Sequence, residues 1–237
     1  MFAGVRGAGA APAGTIEVLL DVTDGDAISR AADVVGERLD GLVNNAGIAV
    51  AAPLEHLPLD ELRRQLEVNV VGQLAVTQAL LPALRAARGR IVLIGSIAGT
   101  SALPFLGPYA ISKFALEAFA DSLRVELAPD SIHVSIIRPG TIATPIWTKP
   151  QPVADMLGPD AVERYGPRLV ALRAFAAARA AKAAPVDSVA RAVEHALTAG
   201  RPRTRYLVGR DARIRATVER LPDRLRDRIV TRALLRG

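Results

Sequence analysis

The stretch Arg90-Ile91-Val92-Leu93-Ile94-Gly95-Ser96 decides how the rest of this sequence is read. Four consecutive branched or aliphatic residues show no alternation of polar and apolar character, so both faces of the strand must be covered. A strand of that kind belongs inside a parallel sheet, where helices pack on both sides. Working outward, further short strand signals lie at Thr15–Leu20, Gly41–Val43, Ile132–Ile137 and Arg205–Val208. Between them are amphipathic stretches at Ala27–Leu39, Leu59–Ala87, Tyr109–Leu127 and Ser188–Ala199. Alternating strands and helices imply right-handed crossovers and an α/β fold with a doubly wound, Rossmann-like parallel sheet. The 237 residues fit a single domain.

Composition narrows the function. Cysteine is absent, so disulfides and thiolate metal sites are excluded. His56, His133 and His195 are scattered and suggest no metal site. The start of the chain lacks a secretory layout and no long uninterrupted apolar run is present, so a cytoplasmic protein is expected. The formal charge is +6, but residues 201–237 alone hold 12 arginines against 4 acidic residues. The basic character therefore belongs to the C-terminal tail. No base-stacking aromatics accompany it, so a nucleic-acid partner is not expected. Within 210–237, Leu221, Leu225, Ile229 and Leu234 mark the apolar stripe of a basic amphipathic helix. Such a helix packs on its own domain, meets an anionic membrane surface, or covers a substrate entrance or subunit contact. The proline-bearing segment 145–185 has no strand signal and is expected to form a flap or helical excursion over the site. Trp147 within it is a candidate substrate contact, or simply a packed tryptophan.

In doubly wound sheets ligands sit beyond the carboxyl ends of the strands. Ser96 follows one such end and Asn44-Asn45-Ala46-Gly47 another, while Pro139-Gly140 closes a third. Each also has a plainer reading: a capping serine, an asparagine-rich turn, a chain reversal. Asn69 interrupts a long apolar helix, where a buried amide needs partners. Tyr109 and Lys113 are four residues apart and share a helical face. A cation held beside a phenol lowers its pKa, which suits proton transfer at neutral pH. The alternative is a surface tyrosine lying on a lysine stem.

Taken in order, Asn44-Asn45-Ala46-Gly47, Asn69, Ser96, Tyr109-x-x-x-Lys113 and Pro139-Gly140 resemble the motif series of the short-chain dehydrogenase/reductases. The phrases Leu103–Tyr109, Lys113–Ala118 and Asp121–Leu127 are similar to the branch holding retinol, hydroxysteroid and 3-hydroxybutyrate dehydrogenases. The resemblance implies hydride transfer between NADP, or NAD, and a secondary alcohol or ketone, without metal. It implies Tyr109 as general acid/base, Lys113 as its cationic neighbour and ribose ligand, Ser96 as substrate-oxygen donor, and Asn69 as holder of a proton-relay water. Asn45, Ala46 and Gly47 would support the adenosine side, Asp21 would meet the adenine, and Pro139, Gly140, Thr141, Ile142 and Thr144 would flank the nicotinamide. Arg6 would face the adenine ribose and pair with a 2′-phosphate, favouring NADP, unless it is merely a solvated arginine. A homo-oligomer is usual in the family.

The family opens with a strand, a Gly-rich turn and a helix, and no such unit precedes Asp21. The loop Gly7–Gly14 has neither a preceding full strand nor a following helix. A strand–helix unit of roughly 30 residues is therefore expected to be missing, leaving a gap or rearrangement in the sheet and a chain of poor stability. Two explanations compete: a misplaced start at Met1, or a remnant that no longer binds cofactor and acts as a non-catalytic interaction protein. The first is favoured because Asn69, Ser96, Tyr109 and Lys113 are all kept.

Overall fold

The computed structural model describes residues 1–144, 146 and 157–234. The strand read first, Arg90–Ile94 (β4), is central to a four-stranded parallel sheet of order β3-β4-β5-β6, with β3 at Gly41–Asn44, β5 at His133–Pro139 and β6 at Arg205–Val208. Its burial follows the sequence argument residue by residue. Ile91 and Leu93 point into one core with Leu84, Leu116, Ala120 and Ile136. Val92 and Ile94 point into the opposite core with Ile137, Ala196, Tyr206 and Val208.

The first core is covered by α1 (Gly25–Val35), α3 (Gly72–Ala87) and α4 (Gly107–Glu126). The second is covered by α6 (Val186–Thr198). Helices on both faces of a parallel sheet make this the expected doubly wound arrangement. Boundaries shift for local reasons. α1 stops at Val35 because Gly36, at φ +78°, turns the chain. α4 starts at Gly107, with Pro108 in the first turn where its missing N–H is harmless.

The sheet is not continuous. β1 (Phe2–Val5) and β2 (Ile16–Leu19) form a separate two-stranded parallel sheet. Six strands are thus present among the described residues without being contiguous, and this is the gap expected from the reading of the first twenty residues. Phe2, Ile16 and Leu19 are exposed on one side of the break, and Val43 of β3 is exposed on the other. What ties the small sheet to the rest is α1, whose Ile28 reaches the main core, together with Val22. Val22 packs so tightly on the start of α3 that a Cβ at Gly72 would come within 2.5 Å of its carbonyl oxygen.

The helical run Leu59–Ala87 consists of α2 (Leu59–Leu66), a π-helical turn (Glu67–Val71) and α3. By length and hydropathy alone it could cross a membrane. It also carries the buried polar residues Gln65, Asn69, Gln73 and Thr77. Their hydrogen bonds anchor it to the sheet (below), so it is a core helix here.

One expectation is corrected. Residues 210–237 do not form a single helix: α7 (Arg210–Val218) and α8 (Asp223–Leu234) are separate. Pro222, which has no N–H to continue a ladder, stands immediately before α8 and its carbonyl accepts from Leu225 N. α8 packs against α5 (Pro159–Ala180), leaving Leu225 and Ile229 exposed. Residues 235–237 lie outside the described residues, as do Trp147 and most of the early part of the expected flap. The later part of that flap is α5.

The break has a measurable consequence. Amides of β1 and β2, supported by one strand neighbour each, should exchange with deuterium at least about tenfold faster than those of β4 and β5. Equal protection across both sheets would contradict the division.

Candidate active site

Three strand ends and one helix converge on a cleft of about 730 Å³. β3 contributes the turn with Asn45 and Gly47, β4 contributes Gly95 and Ser96, and β5 contributes Pro139, Gly140, Thr141, Ile142 and Thr144. α4 places Tyr109 and Lys113 against them. Ten of the residues singled out in the sequence therefore line one cavity.

The geometry follows from the packing of α4 on β4. Lys113 is 5% exposed, and its ammonium donates to the carbonyl of Ile94, the last residue of β4, at 2.8 Å. Burial pushes its pKa down to about 8. One turn earlier, Tyr109 presents its ring to the same ammonium, with Nζ 5.6 Å from the ring centroid. The phenol is hydrogen-bonded to Ser96. Ser96 also caps the short turn that follows it, accepting from Ala98 N at 3.1 Å, so the capping reading and the cleft reading both hold.

The expected lowering of the phenol's pKa by Lys113 is corrected. Burial raises it, opposed by the Ser96 hydrogen bond and the charge of Arg215. The physical reason is that loss of water around the buried phenol outweighs the influences that would lower its pKa.

Asn69, 0% exposed, lies behind the cleft wall. Its carboxamide accepts from Ile48 N (2.8 Å) and donates to Ile48 O and Ser112 Oγ (both 3.0 Å). It thereby clamps the Asn44–Val50 segment to α4. Sequence reasoning missed its companions. Gln65 donates to Ile48 O and accepts from Val50 N, Gln73 donates to Ala46 O, and Thr77 accepts from Asn44 Nδ2. Positions 65, 69, 73 and 77 are spaced by four. A polar stripe down an otherwise apolar helix was the available signal. Ala46 is held through its carbonyl and does not line the cleft.

The loop after β5 is set by another residue that sequence reasoning missed. Asp211 at the start of α7 accepts from both Thr141 N and Thr141 Oγ1 at 2.8 Å. A Cβ at Gly140 would lie 2.1 Å from Asp211 Oδ1, so only glycine fits there. Arg138, just before Pro139, makes two 2.6 Å bonds to the Glu117 carboxylate of α4. α5 closes the cleft with Leu172, Phe175 and Arg179, and α7 adds Arg215.

Arg6 and Asp21 sit on the β1–β2 side and do not line the cleft. Asp21 accepts from Thr23 N and Thr23 Oγ1. Those bonds, with a smaller contribution from Arg6, hold its carboxyl below the usual range.

These residues fit one end of a dinucleotide better than the other. Asn45, Tyr109, Lys113 and the Gly140–Thr144 loop line one cleft with hydrogen-bonding groups that suit a ribose and a nicotinamide. The Gly7–Gly14 loop leads into β2 rather than a helix, and a Cβ at Gly7, Gly9 or Gly14 would meet open space. It therefore lacks the close backbone approach and helix N-terminus that cradle a pyrophosphate.

Comparison with known proteins agrees with this geometry. Residues 8–153 match the short chain dehydrogenase family. The chain is 37% identical over 223 residues to an NADPH-dependent 3-dehydrocapnine reductase of Ornithobacterium rhinotracheale, covering 90% of this chain and 78% of the relative. It is 39% identical over 229 residues to mouse retinol dehydrogenase 5, covering 90% of this chain and 72% of the relative. Among solved structures, a short chain dehydrogenase of Burkholderia cenocepacia in complex with NADP superposes with a TM-score of 0.73 at 26% identity, covering 98% of this chain and 85% of that one. With the Tyr109–Lys113 pair, Ser96 and the three strand ends gathered in one cleft, the chain belongs to the short-chain dehydrogenase/reductase family.

Proposed function

We propose that this protein is an oxidoreductase that interconverts a secondary alcohol and a ketone with NADP as its dinucleotide. The observation that carries the reading is the meeting of Tyr109, Ser96 and Lys113 at the mouth of β4. NADP, when bound, supplies or accepts the hydride. Its nicotinamide end would be held by Lys113, Asn45 and the loop Pro139–Thr144, and Arg6 and Asp21 would serve its adenosine end. The NADP in the Burkholderia structure and the NADPH dependence of the Ornithobacterium reductase favour NADP over NAD.

The chain's own residues account for the proton. A ketone oxygen between Ser96 and Tyr109 accepts a hydrogen bond from each hydroxyl, which stabilises the negative charge that develops there. A phenol whose pKa lies above its ordinary value is fully protonated at neutral pH, so it can donate to that oxygen. The ammonium of Lys113, 5.6 Å from the centre of the ring, lies beside the phenolate that remains. The apolar walls from Leu103, Leu106, Ile142, Leu172 and Phe175 suit a substrate with a lipid-like or steroid-like body. Val71, Leu74, Ile111 and Phe114, exposed on the π turn, α3 and α4, support self-association into a homo-oligomer.

A second reading is favoured by the divided sheet and the open Gly7–Gly14 loop: a dehydrogenase fold that binds partners but not dinucleotide. Titration with NADPH separates the two. A fluorescence change at micromolar to millimolar NADPH is expected, and none up to about 1 mM would leave the second reading standing.

Where turnover is measured, Tyr109→Phe should lower ketone reduction by about 10²- to 10⁴-fold with NADPH affinity kept. Undiminished turnover would remove the proton-transfer role.

Lys113 predicts a pH effect on stability. Its folded pKa of about 8 lies below the ordinary value of 10.5, so between these pH values the unfolded chain binds the proton and the folded chain does not. Stability of the wild type should therefore rise relative to Lys113→Met as pH goes from 8 to 10.5, by up to about 3 kcal/mol. Urea unfolding of both proteins across that window measures it. A flat difference would show that the ammonium is not desolvated.

A further inference from the structure

The deep wall of the cleft carries more positive charge than proton transfer requires. Arg215 of α7 lines the cavity together with Tyr109, and its charge acts directly on the phenol. Its guanidinium donates through Nη2 to Ser101 O and through Nε to Ser101 Oγ at 3.3 Å, so one edge is held against the turn after β4. No carboxylate among the described residues is within ion-pair distance of it. Asp211 and Glu219 are the nearest acidic influences, but Asp211 is engaged by Thr141 and Arg179, and Glu219 by Arg226. Arg179, close enough to add like-charge repulsion, lines the same wall and lies over the Phe175 ring at 4.6 Å.

A half-buried guanidinium is costly unless a negative partner completes it. Burial pushes the Arg215 pKa down to about 10, the direction expected when that partner is lacking. Asp211 pairs directly with Arg179, whereas the hydrogen bonds of Arg215 go to a backbone carbonyl and a hydroxyl, and Asp211 and Glu219 act on it only from a distance. The remaining Nη1 edge can make a charge-assisted bond to an oxyanion. Around it the walls are apolar, from Leu103, Leu106, Leu172 and Phe175.

We infer that Arg215 is a specificity-determining residue that receives the acidic head group of an amphiphilic substrate, a carboxylate carried on an apolar chain close to the reacting carbonyl. This deepens the proposed oxidoreductase reading and rests on the same cleft. An anion seated there would also cancel the pull of Arg215 on Tyr109. The phenol would keep its proton more firmly, which favours donation to a ketone.

Binding tests this without turnover. Isothermal titration of the intact chain with decanoate and with decanamide, both below their aggregation limits, compares a charged and a neutral head on one tail. The wild type should bind decanoate at least about tenfold tighter, the scale of one charge-assisted contact. Arg215→Gln should bind the two equally. Arg228→Gln, which removes the same charge from exposed α8, should keep the preference. Because Arg215 also holds Ser101, thermal unfolding accompanies each variant, and Arg215→Lys, which retains charge, should keep part of the preference if the glutamine variant does not fold. Equal binding of both ligands by wild type, binding of neither, or a preference that survives in Arg215→Gln would overturn the assignment. So would loss of the preference in Arg228→Gln. A preserved preference without any NADPH binding would instead strike only the oxidoreductase reading.

Discussion

The bond from the Lys113 ammonium to the Ile94 carbonyl is the contact on which the site depends. It joins the middle of α4 to the last residue of the central strand, at the wall of the cleft. Once that distance is set, the helical repeat brings Tyr109 to the level of Ser96, one residue beyond the start of the post-strand turn. A buried cation with a single carbonyl partner is an expensive way to fasten a helix, since several kcal/mol of hydration are lost on burial. The bidentate Arg138–Glu117 pair, which joins α4 to β5, helps to hold the register that this cost would otherwise disturb.

The second support is the row Gln65, Asn69, Gln73 and Thr77. Four polar side chains in an apolar helix would each be a burden, were they not matched to the backbone of the turn after β3 and to Asn44, Gln73 through its Nε2 alone. That turn has no regular structure of its own between Asn45 and Val50. It is shaped by side chains of the helical run beside it, so its contribution to the cleft is decided some twenty residues downstream. Asn69, which resemblance assigns to a proton relay, has its carboxamide engaged in this clamp and reaches α4 through Ser112.

The C-terminal third closes the cleft. Asp211 uses one carboxylate to hold the loop after β5, and the tightness of that contact excludes any side chain at Gly140. Arg215, one turn later on the same helix, enters the cavity beside the phenol. The arginine-rich tail, which by composition suggested surface electrostatics, thus contributes a guanidinium to the interior. The division between the β1–β2 pair and the four-stranded sheet lies beyond β3, away from α7 and β6.

The order of strands and helices, the two-faced burial of β4 and the gathering of Tyr109, Lys113, Ser96 and the loop from Pro139 to Thr144 were legible in the sequence. The first two depend on local periodicity, and the third on the rule that parallel strands end at a common edge together with the family resemblance. The break in the sheet was expected from the family resemblance, because the strand–helix unit with which that family opens has no counterpart before Asp21. What only the tertiary structure decided is how charges are disposed around the phenol. Lys113 donates to a carbonyl beside the ring face, and burial and the Ser96 hydrogen bond act on the hydroxyl together with a smaller influence from Arg215, about a hundred residues away in the chain. Spacing along one helix cannot reveal such a partner. Electrostatic influence depends on distance through the folded interior and on the loss of water around each group, and both arise only when α7 packs across the mouth of the sheet.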